Sequence, residues 1–346
     1  MNTTPSSAPH FTSTTPSDGI AEPTSTPGDI NGDRPMSDEQ VDASTRPRVT
    51  GERALVFGGG GSAGNAWEIG VIAGLLDAGL DVTDADLIIG TSAGSTAAAQ
   101  ASGATRPAEL LASILAAAPQ PRTAPAGSDR GRIPNSPAPD HMAKSSAIIA
   151  AAKDAADMRR RMGAAALEAD AASGSSVQQT QRRAIVAARL PSQHWPQRSL
   201  LIVAVDAHTG EPVVFDSHSG VDLADAVTAS CAGPGAPPHT IGESRYIDGG
   251  YRSNENADLA AGYDRVLVLS PLGGRSRAPL DWGIHLAAQV DALRARGSKV
   301  ETILPDADSL TAFGANLMDP STRPPAARAG YNQGKALAEH LTEFWR

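Results

Sequence analysis

The chain has 346 residues, of which 40% are hydrophobic and only 4% aromatic, and its net charge is −9. No long basic run is present, which argues against a nucleic-acid surface of clustered Lys and Arg and against strong electrostatic docking on an anionic membrane. The one cysteine, Cys231, excludes an intramolecular disulfide and a cysteine-based zinc site, and it fits a reducing compartment. There is no apolar run of membrane-spanning length and no secretory pattern at the N-terminus, so a cytoplasmic location is the expectation.

Residues 1–50 are rich in Ser, Thr, Pro, Gly and Asp and lack apolar periodicity, so they are expected to be disordered. Order is expected from Ala54-Leu55-Val56-Phe57, a short buried strand, followed by the glycine run Gly58 to Gly61. A helix follows over about 64–78. Trp67, Val71 and Leu75 share one of its faces, Ile72 and Leu76 lie beside it, and Gly79 stops it. Leu87-Ile88-Ile89 reads as a second buried strand, followed by Gly90-Thr91-Ser92-Ala93-Gly94 and an Ala-rich helix. The alternation of strand and helix points to an α/β fold with a parallel sheet. Residues 119–141 read as a Pro-, Gly- and Ser-rich loop, and 142–190 as helical with a break near Gly174. Strands follow at 200–205 and 212–215, then a helix at 223–232, then Tyr246-Ile247 leading into Asp248-Gly249-Gly250. The remainder reads as a strand at 265–269, a helix at 285–296, a strand at 301–304 and a last helix at 331–345.

Three motifs carry the chemistry. Gly90-Thr91-Ser92-Ala93-Gly94 lies between a strand and a helix, which is the sequence form of a nucleophile elbow: serine on a sharp turn, with glycines two residues to either side. Taken alone, the pentapeptide is equally compatible with a structural turn. Gly58-Gly59-Gly60-Gly61-Ser62-Ala63-Gly64 lets backbone N–H groups converge, as an oxyanion or a phosphate requires. Its spacing also matches a dinucleotide fingerprint. That reading needs an acid at the end of the next strand, whereas Asp81, Asp84 and Asp86 precede it. Asp248-Gly249-Gly250 is by itself an ordinary turn.

In this order the three motifs resemble the patatin-like phospholipase family. Ile69-Gly70-Val71 and Ala229-Ser230-Cys231-Ala232-Gly233-Pro234 add to the resemblance, which covers about 54–275. It implies a three-layer α/β/α fold with a mostly parallel central sheet, in which 119–195 is a helical cap insertion and 276–346 an α/β extension on the same domain. It further implies that Ser92 is the nucleophile, Asp248 its base, and Gly59, Gly60 and Gly61 the oxyanion hole. Gly64, Gly90, Gly94, Gly249 and Gly250 are then motif glycines. The expected substrate is a lipid acyl ester, met through a transient contact with a membrane or lipid-droplet surface, with no metal and no cofactor. One departure stands out: the family usually carries Arg or Lys where this chain has Ala63.

Two further readings are weighed against this one. A Ser-His-Asp esterase would take its histidine from after Asp248, which leaves His285 and His340, both in expected helices. His194, His208, His218 and His239 read as surface or structural residues, Arg159-Arg160-Arg161 as a solvated helix face, and Trp67 and Cys231 as packing residues. A non-catalytic lipid-binding protein of the same fold is the second reading, and the intact Ser92, Asp248 and glycine loop argue against it. Within the insertion, Met142, Ile148, Ile149, Met158 and Met162 serve equally well as acyl-chain contacts or as packing onto the core.

Overall fold

The computed structural model describes residues 51–117, 137–173 and 176–346. The N-terminal stretch 1–50, most of the Pro-rich segment and the break at Gly174 lie outside the described residues.

In chain order the strands and helices are β1 (Gly51–Phe57), α1 (Gly61–Asp77), β2 (Leu87–Thr91), α2 (Ala93–Ala101), α3 (Pro107–Ala116), α4 (Pro137–Ala151), α5 (Ala155–Ser173), α6 (Ser176–Arg189), β3 (Ser199–Asp206), β4 (Pro212–Phe215), α7 (Leu223–Ser230), β5 (His239–Ile241), β6 (Ser244–Asp248), β7 (Tyr263–Leu269), α8 (Leu286–Ala295), β8 (Lys299–Ile303), α9 (Ala307–Phe313) and α10 (Arg323–Trp345). The strands form one sheet in the order β5-β6-β3-β2-β1-β7-β8, with β4 also paired to β3. β3, β2, β1, β7 and β8 run parallel, while β4, β5 and β6 are joined antiparallel. The expected α/β fold with a mostly parallel central sheet is what the chain adopts.

Alternation along the buried strands sends side chains to two faces. Leu55, Phe57, Ile88, Leu200 and Ile202 pack with residues of α1, α2, α7 and α10. Ala54, Val56, Ile89 and Val203 pack on the other face with Leu286, Val290 and Leu293 of α8. Farther along that second face, Val205, Ala207 and Ile247 are covered by Met158 and Met162 of α5. These two methionines are therefore packing residues, and α5 is part of a helical layer. Burial of two flexible apolar side chains on this face of β3 and β6 accounts for them without a ligand.

The C-terminal elements join the same sheet and helical layer. β8 pairs with β7, and α10 crosses α1 at close range. A Cβ at Gly70 or Gly74 of α1 would collide with the backbone of α10, and one at Gly330 or Gly334 would collide with the backbone of α1. Small residues on both helices thus permit a contact that larger side chains would hold apart. α10 starts at Arg323, earlier than the expected 331, because Pro324 and Pro325 lie in its first turn, where a missing N–H costs nothing.

Candidate active site

Ser92 follows the fully buried strand β2 and caps α2. Its backbone sits at φ 53°, ψ −125°, one of two non-glycine residues with positive φ among those described. Such a conformation costs on the order of 1–3 kcal/mol and persists only where the surroundings enforce it. Here the Ser92 N–H donates to Ser230 Oγ at 2.9 Å, and the Ser92 carbonyl accepts from Ser95 Oγ at 2.5 Å and from Cys231 Sγ at 3.0 Å. The flanking glycines serve close approach. A Cβ on Gly90 would lie 2.6 Å from Ser95 Cα, and one on Gly94 would overlap the carbonyl oxygens of Phe57 and Gly58.

Asp248 ends β6. Sheet register brings it to Ser92: Thr91 pairs with Val203 and Asp248 with Ala204, so the two residues flank the same stretch of β3. Ser92 Oγ donates to Asp248 Oδ2 at 2.8 Å, and the Gly250 N–H donates to Asp248 Oδ1 at 2.8 Å. Burial pushes the Asp248 carboxyl up to about 6, against the opposing pull of the Gly250 amide, the Ser92 hydroxyl and the Arg182 charge. A Cβ on Gly249 would overlap the Val203 carbonyl, so the turn lies flat on β3. Asn256, fully buried and left-handed at φ 55°, ties this turn to the elbow: its Nδ2 donates to Thr91 Oγ1 at 2.9 Å, to Ser253 O at 2.8 Å and to Gly249 O at 3.3 Å.

The glycine loop runs beside the serine, and a Cβ on Gly59 would lie 3.4 Å from Ser92 Cβ. Gly59 itself cannot donate to an oxyanion as placed, because its N–H is taken by Asn254 O at 2.7 Å. Of the three glycines expected to form the oxyanion hole, Gly59, Gly60 and Gly61, the first thus has its N–H engaged. Among the described residues, no hydrogen bond takes up the N–H of Gly60 or Gly61 at the start of α1. Gly61 has φ 64°, which turns the chain into the helix. Gly64 abuts Pro271. Ala63 is fully buried, and its N–H donates to Leu317 O at 3.0 Å. Among the described residues, Arg323 of α10 reaches this loop, its Nη1 donating to Ser62 O at 3.1 Å. Next to Gly58 of this loop lies Glu68, wholly buried: the Gly58 amide acts on its carboxylate, and among the described residues neither oxygen makes a well-formed hydrogen bond.

Among the described residues, no histidine hydrogen-bonds to Ser92 or Asp248. His285 stands at the N-cap of α8, not inside a helix, and His340 is exposed 4.0 Å from Glu301. His239 is buried against Asp225 at 2.8 Å, a structural pairing. Burial pushes the Cys231 thiol up to about 11, with the nearby Asp248 charge acting in the same sense, so it is an inert proton holder at neutral pH. Trp67 packs in the core and donates to Ser309 Oγ and Gln333 Oε1, both at 3.0 Å. Arg159 departs from the expected solvated face: its Nε donates to Gly210 O at 2.7 Å. Among the described residues, no group of three or more metal-ligating side chains comes together.

A hydroxyl hydrogen-bonded to a buried carboxylate can support nucleophilic attack with proton transfer to the acid, and the adjoining glycine loop carries two backbone amides with no partner among the described residues. Sequence reading missed three contributors: Ser230, which receives the Ser92 amide; Asn256, which joins elbow and turn; and Arg182, which faces Asp248 from α6. Only Ser230 lies in a motif that could have drawn attention to it.

The model of the family described as Patatin-like phospholipase matches residues 55–261, more than half of the chain. Among solved structures, the chain is similar to the crystal structure of VipD from Legionella pneumophila. The identity is 14% and the TM-score 0.38, with 85% of this chain and 67% of that chain covered. No curated protein matches the chain.

Proposed function

Since the chain belongs to the patatin-like phospholipase family, we propose that it is a serine-dependent lipid acyl hydrolase working through Ser92 and Asp248. Asp248 accepts the Ser92 proton as Oγ attacks the ester carbonyl. The open amides of Gly60 and Gly61 face the charge that develops on the carbonyl oxygen, where one donor is worth about 3–4 kcal/mol. The tetrahedral adduct collapses to an acyl-enzyme, and the departing alkoxide takes the proton back from Asp248. Asp248 then activates water, which releases the fatty acid and restores Ser92. The substrates that fit share an acyl ester: phospholipid, lysophospholipid or neutral lipid. A transient contact with a lipid surface brings them to the half-exposed Ser92.

The observation that carries this reading is the 2.8 Å hydrogen bond from Ser92 Oγ to a carboxylate raised to about 6. A carboxyl in that range is a competent base near neutral pH. The same observation disfavours a Ser-His-Asp esterase, since the serine proton already has an acceptor. Ser92→Ala, checked for native circular dichroism, should lose hydrolysis of both a short-chain chromogenic ester and a phosphatidylcholine micelle. Retained turnover of both by the folded variant would end the proposal.

A further inference from the structure

Two arginines sit next to each other on α6, and the fold uses them differently. Arg183 is paired with Asp225 at 2.7 Å and with Asp222 at 3.2 Å. Arg182 has no carboxylate partner among the described residues. Its Nη2 donates to Cys231 O at 2.7 Å and its Nη1 to Pro237 O at 3.2 Å. Both acceptors are carbonyls, so the guanidinium charge is left uncancelled.

Those two carbonyls bracket the loop from α7 to β5, which forms one wall of the site. Ala232 O in this loop accepts the Asp248 N–H at 3.0 Å. Gly233 lies so close that a Cβ there would stand 3.0 Å from Asp248 Oδ2. Just before the loop, Ser230 ends α7 and receives the Ser92 N–H. Arg182 therefore closes the C-terminal end of a helix whose last residue, Ser230, holds Ser92 and whose following loop holds Asp248. That end carries partial negative charge. Left bare, it would disfavour the Asp248 carboxylate and the developing oxyanion alike.

We propose that Arg182 is a positioning residue for the reaction: it clamps residues 231–237 against Asp248 and brings an uncancelled positive charge to the buried carboxylate. The proposal rests on Asp248 acting as the base. The groups that face Asp248 are Ser92 from the elbow, Cys231 from the end of α7, Tyr251 from the following turn and Arg182 from α6. Burial raises both the Cys231 thiol and the Tyr251 hydroxyl, so neither is charged near neutral pH. The guanidinium alone among the four is ionised throughout the range in which Asp248 titrates.

The test compares Arg182→Met and Arg182→Lys with the wild type in two measurements. Amide exchange over residues 231–238, on protein without substrate, reads the clamp whether or not Ser92 reacts. Loss of two hydrogen bonds from a charged donor should speed it by about tenfold or more in Arg182→Met. The pH dependence of Ser92 modification by a fluorophosphonate reads the charge. Its acid limb should move to higher pH in Arg182→Met and remain near the wild-type position in Arg182→Lys, which keeps the charge but loses the fork. Wild-type exchange in Arg182→Met overturns the clamp. An unmoved limb in Arg182→Met, or equal displacement in both variants, overturns the electrostatic role. A wild type that does not label at Ser92 refutes the parent mechanism, and the exchange comparison still decides the clamp.

Discussion

Asp248→Asn separates the two consequences of burying a carboxylate beside a serine. Burial raises Asp248 from 3.8 to about 6, so the folded chain holds this proton more tightly than the unfolded chain does. The corresponding contribution to stability is largest below pH 3.8, declines as pH rises through the folded value, and is gone above it. Displacement of the carboxyl from 3.8 to about 6 corresponds to about 3 kcal/mol, which the ionised protein forgoes at neutral pH. Asparagine is neutral at every pH and its Oδ1 can still accept the Gly250 N–H. Asp248→Asn should therefore match the wild type in stability near pH 4 and exceed it by up to about 3 kcal/mol at pH 8. Its hydrolytic rate should fall by about 10²–10⁴ where the wild type is ionised. Urea denaturation at the two pH values and initial rates on a soluble ester measure both effects. The wild-type rate itself should rise along a single-proton limb centred near pH 6. A variant that is no more stable at pH 8 and turns over at the wild-type rate would refute the assignment of Asp248 as a strained, catalytic base.

Glu68→Gln should stabilise the protein increasingly as pH rises above 4.5, with no gain near pH 4. The cause is burial, which raises the Glu68 carboxyl well above that value, with Glu255 adding to it and the Gly58 amide offsetting it in part; melting temperatures across the pH series check this, and parallel curves would contradict it. Met158→Ala should cost about 2–5 kcal/mol in urea denaturation, because it opens a cavity against Val205 and Ile247. Unchanged stability with an altered chain-length preference would instead return Met158 to the acyl site. His285→Ala and His340→Ala should leave the ester hydrolysis rate within about twofold of wild type; a loss comparable to that of Asp248→Asn would replace the pair with a triad.

The strand-glycine-helix opening and the elbow were legible because both place a buried apolar run directly before glycines, a local pattern that needs no knowledge of the rest of the fold. The three-residue β5 and the seven-residue α9 were not, since each offers too few residues for a period to show; α3 was not told apart from α2, because only five residues separate the two helices. The start of α10 lies eight residues before the expected one, and Pro324 and Pro325 occupy its first turn. At the site, Ser92, Asp248 and the glycines announce themselves by motif. Which glycine amides stay open was not readable, because Asn254 reaches Gly59 only through the folded return of a segment 195 residues later. Arg182 and Asn256 were invisible for the same reason: each acts through backbone carbonyls or a hydroxyl that only the sheet register brings near.

Covalent capture decides whether Ser92 is the nucleophile. The folded protein is incubated with a fluorophosphonate at pH 8, digested, and the modified residue located by mass spectrometry. A single adduct on Ser92 is expected, absent in Ser92→Ala and strongly slowed in Asp248→Asn. An adduct on another residue, or no adduct on a folded protein that still hydrolyses esters, would contradict it.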